Sequence, residues 1–185
     1  MIQKGVRCWR TVPAFVTEEK DGNRGQRKKI VITQSLAIME YLEEAYPATP
    51  RLLPLSLEGR AAVRDMCHAV VSGIQPLQNS HVLQTVQKIT GKAGEGKAWA
   101  QIFIMDGFEG LEDLLKRYAG QYCFGDTLTL ADCCVVPQVY NARHKYHVDM
   151  TKFPMISRVA TLAEQHPSFL ASRPEMQQDA PSKVK

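Results

Sequence analysis

The fold is decided by the stretch IVITQSLAIMEYLEE at residues 30–44. Its first three residues are β-branched, which is typical of a short strand. Thr33, Gln34 and Ser35 follow at once, and hydroxyl residues suit the start of a helix. The apolar residues from Leu36 to Leu42 then recur at helical spacing. The stretch therefore predicts a strand that leads directly into a helix.

A second strand is predicted upstream, at TVPAFV in residues 11–16. It is entered through Pro13, and proline fits the start or edge of a strand because it has no N–H to donate. Residues 18–29 are polar and contain Asp21-Gly22, a turn signal. Residues 11–32 are therefore expected to form a β-hairpin with a long tip.

The chain changes character after Pro47, Pro50 and Pro54. From residue 58 onward the periodicity is helical, and it predicts helices near 58–72, 75–90, 96–119, 129–146 and 153–165. Pro137 lies inside the fourth of these and should bend or end it. The expected fold class is α+β to mostly α. The expected domains are an incomplete β-hairpin-plus-helix unit at 1–46, a linker at 47–57, an all-helical domain at 58–170 and a flexible tail at 171–185.

Composition excludes several classes of protein. The 185 residues include 23 Lys and Arg against 19 Asp and Glu, so the net charge is only +4. This balance is no signature of nucleic-acid binding, and the dense basic cluster at residues 24–29 is expected to be a solvated hairpin tip. Five cysteines without a CxxC spacing argue against a disulfide framework and structural zinc, so no metal is expected. Without a leader sequence or a long apolar run, a cytoplasmic protein that does not enter a membrane is expected.

Two motifs have structural interpretations. Thr129 and Asp132 stand three residues apart before an apolar run. This spacing predicts a capping box, in which each side chain bonds the backbone N–H of the other residue. The four carboxylates of residues 106–113, which include Glu112, are interpreted as the wet face of an amphipathic helix.

Two segments of the first domain carry groups suited to a polar ligand. A cis Val12–Pro13 bond would free the backbone N–H and C=O of Val12 for an extended ligand backbone, whereas a trans proline would only blunt a sheet edge. At the start of the predicted helix, Gln34 and Ser35 lie beside unpaired N–H groups that favour a carboxylate. The alternative is that a hydroxyl there only caps the helix.

A third polar cluster follows a break between predicted helices. It contains Gln75, Asn79, Ser80 and His81. These side chains either face a cleft or belong to a solvated helix start.

Taken together, these segments resemble the cytosolic glutathione transferases. The Val-Pro strand, QSLAI at residues 34–38, RLLP at 51–54 and the Thr129-to-Asp132 box match the pattern of that family. GIQPLQN at residues 73–79 and VPQ at 136–138 are similar to the zeta class, whose members act as maleylacetoacetate isomerases. The resemblance runs from about Val12 to Pro174.

The resemblance implies a thioredoxin-like N-terminal domain, an all-helical C-terminal domain and glutathione bound between them as cofactor. It places the cysteinyl backbone of glutathione on Val12, the γ-glutamyl carboxylate on Gln34 and Ser35, and further contacts on Gln75 and residues 79–81. The implied reaction is glutathione-dependent isomerisation of maleylacetoacetate to fumarylacetoacetate, in phenylalanine and tyrosine catabolism. Glutathione transferase activity towards related α-substituted acids is implied as well.

The chain departs from the family at its start. The thiol-activating motif of the family, Ser-Ser-Cys-x-Trp-Arg, opens the first helix of a βαβ unit, which needs about 30 residues. Only eleven residues precede Val12, and Cys8-Trp9-Arg10 lacks the serines. No catalytic residue is therefore assigned, and this polypeptide is expected to have little or no isomerase activity. Ser80-His81 also departs from the usual Leu-Ser order.

Two functions stay open at this point. The first is the glutathione-dependent isomerase, and the alternative is a non-catalytic glutathione-transferase-like binding or interaction protein. The family forms homodimers through contacts that include the N-terminal domain, so a dimer is not assumed for this chain.

Overall fold

The computed structural model describes residues 13–20, 27–177 and 180, and the chain divides into two compact units after Arg51. This division lies within the predicted linker, although its exact bounds remain a prediction. The first unit contains strands β1 (Ala14–Lys20) and β2 (Arg27–Thr33) and helix α1 (Ser35–Ala45). The second contains α2 (Leu57–His68), α3 (Ser80–Thr90), α4 (Glu95–Tyr118), α5 (Leu130–Asn141), α6 (Pro154–Ala163) and α7 (Pro167–Ala171). The predicted fold class, a small hairpin-plus-helix unit followed by a helical domain, is confirmed.

The strands of the first unit form the predicted antiparallel hairpin, with Ala14 opposite Thr33. The expected tip at 18–29 is too long, because residues 18–20 pair with 27–29, so the basic residues at 27–29 belong to β2. Because side chains alternate between the two faces of a strand, Phe15 and its neighbour Val16 point in opposite directions. The Phe15 ring lies 6.0 Å from that of Tyr41 on α1, between ring centroids. Val16 pairs with Val31, and these side chains are 52% and 40% exposed. One face of the hairpin therefore packs against α1, and the opposite face is open to solvent.

Helix α5 forms the centre of the second unit. Eight of its twelve residues are buried, as expected for a helix that is apolar on all sides. Helices α2 and α6 pack against α5, and α4 packs against α3 and α6. On the α4 side, the Phe108 ring meets Phe153 edge-on at 5.4 Å between centroids. This core supports every site described below in the second unit.

The capping box predicted at the start of α5 is confirmed. One oxygen of the Asp132 carboxylate accepts hydrogen bonds from the Thr129 N–H at 2.8 Å and from the Thr129 hydroxyl at 2.9 Å. The other oxygen accepts from the Cys123 N–H at 2.8 Å. Asp132 is fully buried. A single carboxylate thus joins the first turn of α5 to the loop before it.

Glu112 corrects the interpretation of the carboxylates on α4. Three of the four are exposed as predicted, but Glu112 is only 4% exposed. Its carboxylate accepts hydrogen bonds from the backbone N–H groups of Met155 at 2.8 Å and Ile156 at 3.0 Å. These groups belong to the first turn of α6, which has no side-chain cap of its own. Glu112 lies four residues after the buried Phe108, so it occupies the core side of α4 and caps a neighbouring helix.

The predicted helix at 58–72 is interrupted. Helix α2 ends at His68, and the chain continues as a π-helical turn at Ala69–Ile74 and a 3-10 turn at Gln75–Gln78 before α3 begins. A π turn accommodates an extra residue, and such turns are frequent at functional sites. Pro76 contributes no backbone N–H, which favours an end to the regular helix.

The predicted helix at 129–146 also has two parts. Helix α5 ends at Asn141, and a second π turn follows at Ala142–Tyr146. Pro137 lies inside α5, which continues for four residues beyond it. Pro137 therefore does not end the helix.

The first π turn brings Ile74 against Gly107 of α4. A Cβ atom on Gly107 would lie 2.6 Å from Ile74 Cδ1, whereas a Cβ atom on Gly110 would have nothing within 4 Å. Ile74 is fully buried. The close approach of the two elements therefore requires glycine at position 107.

We expect Gly107→Ala to lower the free energy of unfolding by about 1–3 kcal/mol, because the added methyl group overpacks the contact with Ile74. The matched variant Gly110→Ala should be neutral or stabilising by up to about 1 kcal/mol, since alanine favours the helix. Urea unfolding followed by circular dichroism measures both. Equal effects of the two substitutions would contradict the packing argument.

Candidate functional site

The junction between β2 and α1 has an unusual backbone. Gln34 has φ 75° and ψ 121°, a conformation that residues other than glycine rarely adopt. Such strain costs free energy and persists mainly where a functional site requires it. The first hydrogen bond of α1 runs from the Ile38 N–H to the Gln34 carbonyl at 3.0 Å. The earlier N–H groups of this turn therefore have no intrahelical partner.

The residue at the N-cap position of α1 does not cap the helix with its side chain. Gln34 makes no side-chain cap hydrogen bond, and the first turn of α1 contains no acidic residue. Gln34 and Ser35 are both exposed. The alternative interpretation, capping by Thr33 or Ser35, is thus not observed for Ser35 in the described part of the chain. The partial positive charge of the helix N-terminus remains available to an external anion, with an amide and a hydroxyl beside it.

The proposed backbone contact at Val12 cannot be located, because Val12 and the Val12–Pro13 bond lie outside the described residues. Pro13 is exposed and directly precedes β1. The contact of Val12 with a ligand backbone therefore stays a prediction.

The polar residues of the third cluster lie around the 3-10 turn and the start of α3. Gln75 opens the turn, Asn79 follows it in an extended conformation, and Ser80 and His81 begin α3. The Gln75 side-chain amide donates a hydrogen bond to the Asn79 side-chain oxygen at 3.0 Å. Gln75, Ser80 and His81 are exposed, and Asn79 is partly exposed. The structure thus brings Gln75 and Asn79 together at the surface of the second unit.

Sequence reasoning missed a pair of buried amides beneath this segment. Gln78 is 5% exposed and Gln138 is 2% exposed. Gln78 Nε2 donates a hydrogen bond to Gln138 Oε1. The remaining amide atoms, Gln78 Oε1 and Gln138 Nε2, are buried without a hydrogen-bond partner in the structure. The signal in the sequence was a glutamine inside the apolar run of α5, where a polar side chain needs a reason to be buried.

The second unit also contains a cavity of about 710 Å³ between α5 and the C-terminal turn at Pro174–Met176. A cavity of this size suits a small molecule. Its lining mixes apolar, aromatic and charged side chains, among them Val136, Pro137, His144, Phe169, Arg173 and Met176. The sequence predicted no site here, because the lining comes from segments that are distant in the chain.

A hydrogen bond from the Tyr140 hydroxyl to Glu175 Oε1 at 2.6 Å crosses the edge of this cavity. The bond raises the pKa of Tyr140 and lowers the pKa of Glu175. It attaches the turn after α7 to α5. The flexibility expected for residues 171–185 remains a prediction.

The described cysteines differ in acidity: the pKa values of Cys123 and Cys133 are raised, whereas a hydrogen bond with Cys67 lowers the pKa of Cys134. Cys67, Cys123 and Cys134 are buried, and Cys133 is partly exposed. Burial raises the pKa of Cys123 well above its usual value and that of Cys133 to about 11. These two thiols are therefore protonated at neutral pH. Within the described part of the chain, no group of three His, Cys, Asp or Glu side chains is placed to hold a metal ion.

Comparison with known proteins was made by sequence and by structure. No protein-family model matches the chain. A probable maleylacetoacetate isomerase 2 from Drosophila melanogaster is 44% identical over 153 residues, which cover 83% of this chain. The chain spans 64% of the length of that relative.

Solved structures give the same result. The chain is similar to a maleylacetoacetate isomerase from Anaeromyxobacter dehalogenans 2CP-1 with glutathione bound in its active site, with a TM-score of 0.81 and 41% identity over 90% of this chain and 73% of the other. It is also similar to a bacterial maleyl pyruvate isomerase described as a zeta-class glutathione transferase, with a TM-score of 0.77 and 38% identity over 89% of this chain and 75% of the other. The chain therefore belongs to the maleylacetoacetate isomerase family of zeta-class glutathione transferases.

Proposed function

We propose that this protein is a glutathione-dependent isomerase that converts maleylacetoacetate to fumarylacetoacetate. The observation that carries the proposal is the uncapped start of α1, where the strained Gln34 and the exposed Ser35 face solvent. Relatives named as maleylacetoacetate isomerases, one of them solved with glutathione in its active site, support the same conclusion. The cis–trans step belongs to phenylalanine and tyrosine catabolism.

The residues at the start of α1 fit the γ-glutamyl end of glutathione. That end carries a carboxylate, and the first turn of α1 offers N–H groups without an intrahelical partner or an acidic neighbour. The Ser35 hydroxyl and the Gln34 amide add donors at the same place. In the second unit, we assign Gln75, Asn79, Ser80 and His81 as further contacts. Val12 is assigned to the cysteinyl backbone.

The chemistry divides between cofactor and protein. When bound, glutathione supplies a thiolate that adds to the conjugated cis double bond and is eliminated after rotation, which gives the trans isomer. The residues of this chain bind and orient the tripeptide, so that its sulfur is held at a fixed place. The buried, protonated Cys123 and the protonated Cys133 do not compete as nucleophiles.

The test is glutathione binding by calorimetry together with an isomerase assay on the purified chain. We expect Ser35→Ala to weaken glutathione binding about tenfold, because a hydrogen bond to a charged carboxylate contributes about 1.5–3 kcal/mol. The matched control is Ser168→Ala, an exposed serine in the first turn of α7, which should bind as the unmodified chain does.

The assay separates the two functions. Glutathione-dependent formation of fumarylacetoacetate, lost on Ser35→Ala, would support the isomerase. Binding of glutathione without any conversion would favour the non-catalytic alternative, and absence of binding would contradict both. The same assay measures the turnover of this polypeptide.

We further propose a cytoplasmic location and small α-substituted acids as related substrates. Among the described residues, no helix is both long and apolar enough to cross a bilayer. Cell fractionation tests the location. Sedimentation of the purified chain tests whether the homodimer of the family forms here.

A further inference from the structure

The segment Gln75–Asn79 is not fixed by a regular helix. It lies between a π turn and α3, and its final backbone hydrogen bond, from the Asn79 N–H to the Pro76 carbonyl, is long at 3.4 Å. Gln75 and Asn79 are nevertheless joined side chain to side chain at 3.0 Å. Backbone hydrogen bonds hold the two ends of the segment, from the Gln75 N–H to the Val70 carbonyl and from the Val82 and Leu83 N–H groups to the Asn79 carbonyl. The turn between them is held by contacts with other elements.

Residues from three other elements form hydrogen bonds with this turn. The Trp99 indole N–H of α4 donates to the Leu77 carbonyl at 3.2 Å. The Tyr146 hydroxyl, from the second π turn, donates to the Gln78 carbonyl at 3.0 Å. The Gln138 side chain of α5 accepts from the Gln78 side chain. Two successive peptide groups and one side chain of the turn are thus fixed by partners from different parts of the chain.

Tyr146 is itself held in position. The side-chain amide of Gln101 on α4 donates to the Tyr146 carbonyl at 2.8 Å, and Tyr146 is only 2% exposed. The buried contacts therefore form a connected network rather than a set of independent bonds.

The amide pair at the centre of this network is a poor choice for stability alone. Gln78 Oε1 and Gln138 Nε2 are buried without partners, and each such atom carries a desolvation cost. An apolar pair of similar volume would avoid that cost. A buried polar contact retained at a loss in stability is understandable if it selects one arrangement of the turn.

We propose that Gln138 is a positioning residue for glutathione: through Gln78 it fixes the turn that presents Gln75 and Asn79. The inference rests on the proposed function, because those two residues are assigned there as glutathione contacts. Gln138 does not touch the ligand itself, since its side chain is buried beneath the turn.

The test compares glutathione affinity with thermal stability. We expect the double variant Gln78→Leu with Gln138→Leu to keep or raise the melting temperature, because two unpaired buried amide atoms are removed. The same variant should bind glutathione about tenfold more weakly, because the turn is no longer held in one orientation. The matched control is Val135→Ala on α5, which should lower the melting temperature and leave the affinity unchanged.

A variant without the Gln75 side chain tests whether Gln138 affects glutathione binding through Gln75. In the Gln75→Ala variant, the further substitution Gln138→Leu should change the glutathione dissociation constant by less than about twofold. Gln138 acts by orienting Gln75, so its loss has little effect once Gln75 is absent. If the leucine pair does not fold, Tyr146→Phe removes only the hydroxyl that holds the Gln78 carbonyl. It should weaken binding, and it should also lower the melting temperature because that buried carbonyl loses its donor.

Unchanged glutathione affinity in the leucine pair would overturn the inference while the proposed function stands. If the leucine pair does not fold, unchanged affinity in Tyr146→Phe has the same meaning. An equal loss of affinity with and without Gln75 would overturn it as well. Absence of glutathione binding by the unmodified chain would instead contradict the proposed function, and the inference with it.

Discussion

Asp132→Ala is expected to lower the free energy of unfolding by about 4 kcal/mol or more, because it leaves three buried donors without an acceptor. Two of these donors belong to Thr129 and the third is the backbone N–H of Cys123. The lost hydrogen bonds destabilise the start of α5, which is the central helix of the second unit. Urea unfolding followed by circular dichroism measures the change.

Two further variants make this result specific. Asp65→Ala removes an exposed carboxylate of α2 and should change stability by no more than about 0.5 kcal/mol. If Asp132→Ala does not fold, Thr129→Ala should still do so with a loss of about 1 kcal/mol, which is typical for a helix N-cap. If the Asp132→Ala variant is as stable as the Asp65→Ala variant, the capping box has no energetic role.

Glu112→Ala is expected to cost about 3 kcal/mol. The backbone N–H groups of Met155 and Ile156 would lose a charged acceptor inside the protein, and α6 would lose the negative charge at its N-terminus. Glu112→Gln keeps one acceptor oxygen and should lose about half as much. Unfolding in urea gives the free energies.

Amide hydrogen exchange shows where the effect of Glu112 arises. In Glu112→Ala, the amides of Met155 and Ile156 should exchange faster, and amides in α3 should not. The control is Glu109→Ala, an exposed carboxylate of the same helix, which should be neutral within about 0.5 kcal/mol. Unaltered protection at Met155 and Ile156 would rule out the cap.

The regular elements were predictable because each has a local signal. The β-branched run before Gln34 and the hydroxyl after it identified both a strand and a helix start, and the observed bounds differ by only a few residues. The π turns were not predictable, because one extra residue in a turn leaves no periodic trace. Glu112 was misassigned because its charge suggested solvent, whereas its spacing from Phe108 places it on the core side of α4.

The candidate site was predictable in its residue types and not in its geometry. Gln34 and Ser35 were identified from their place at a helix start. No sequence pattern predicts the strained backbone of Gln34. The partnership of Gln78 with Gln138 joins residues 60 positions apart, so no local pattern reports it. Both glutamines nevertheless lie in the segments that identified the family.

The protonated state of Cys123 and Cys133 has a consequence for the proposed reaction. The proposed substrate, maleylacetoacetate, is a Michael acceptor, and such compounds add to accessible thiolates. Burial keeps Cys123 and Cys133 in the unreactive thiol form at cellular pH. An electrophile of this kind would therefore meet no thiolate at these two positions of the helical unit.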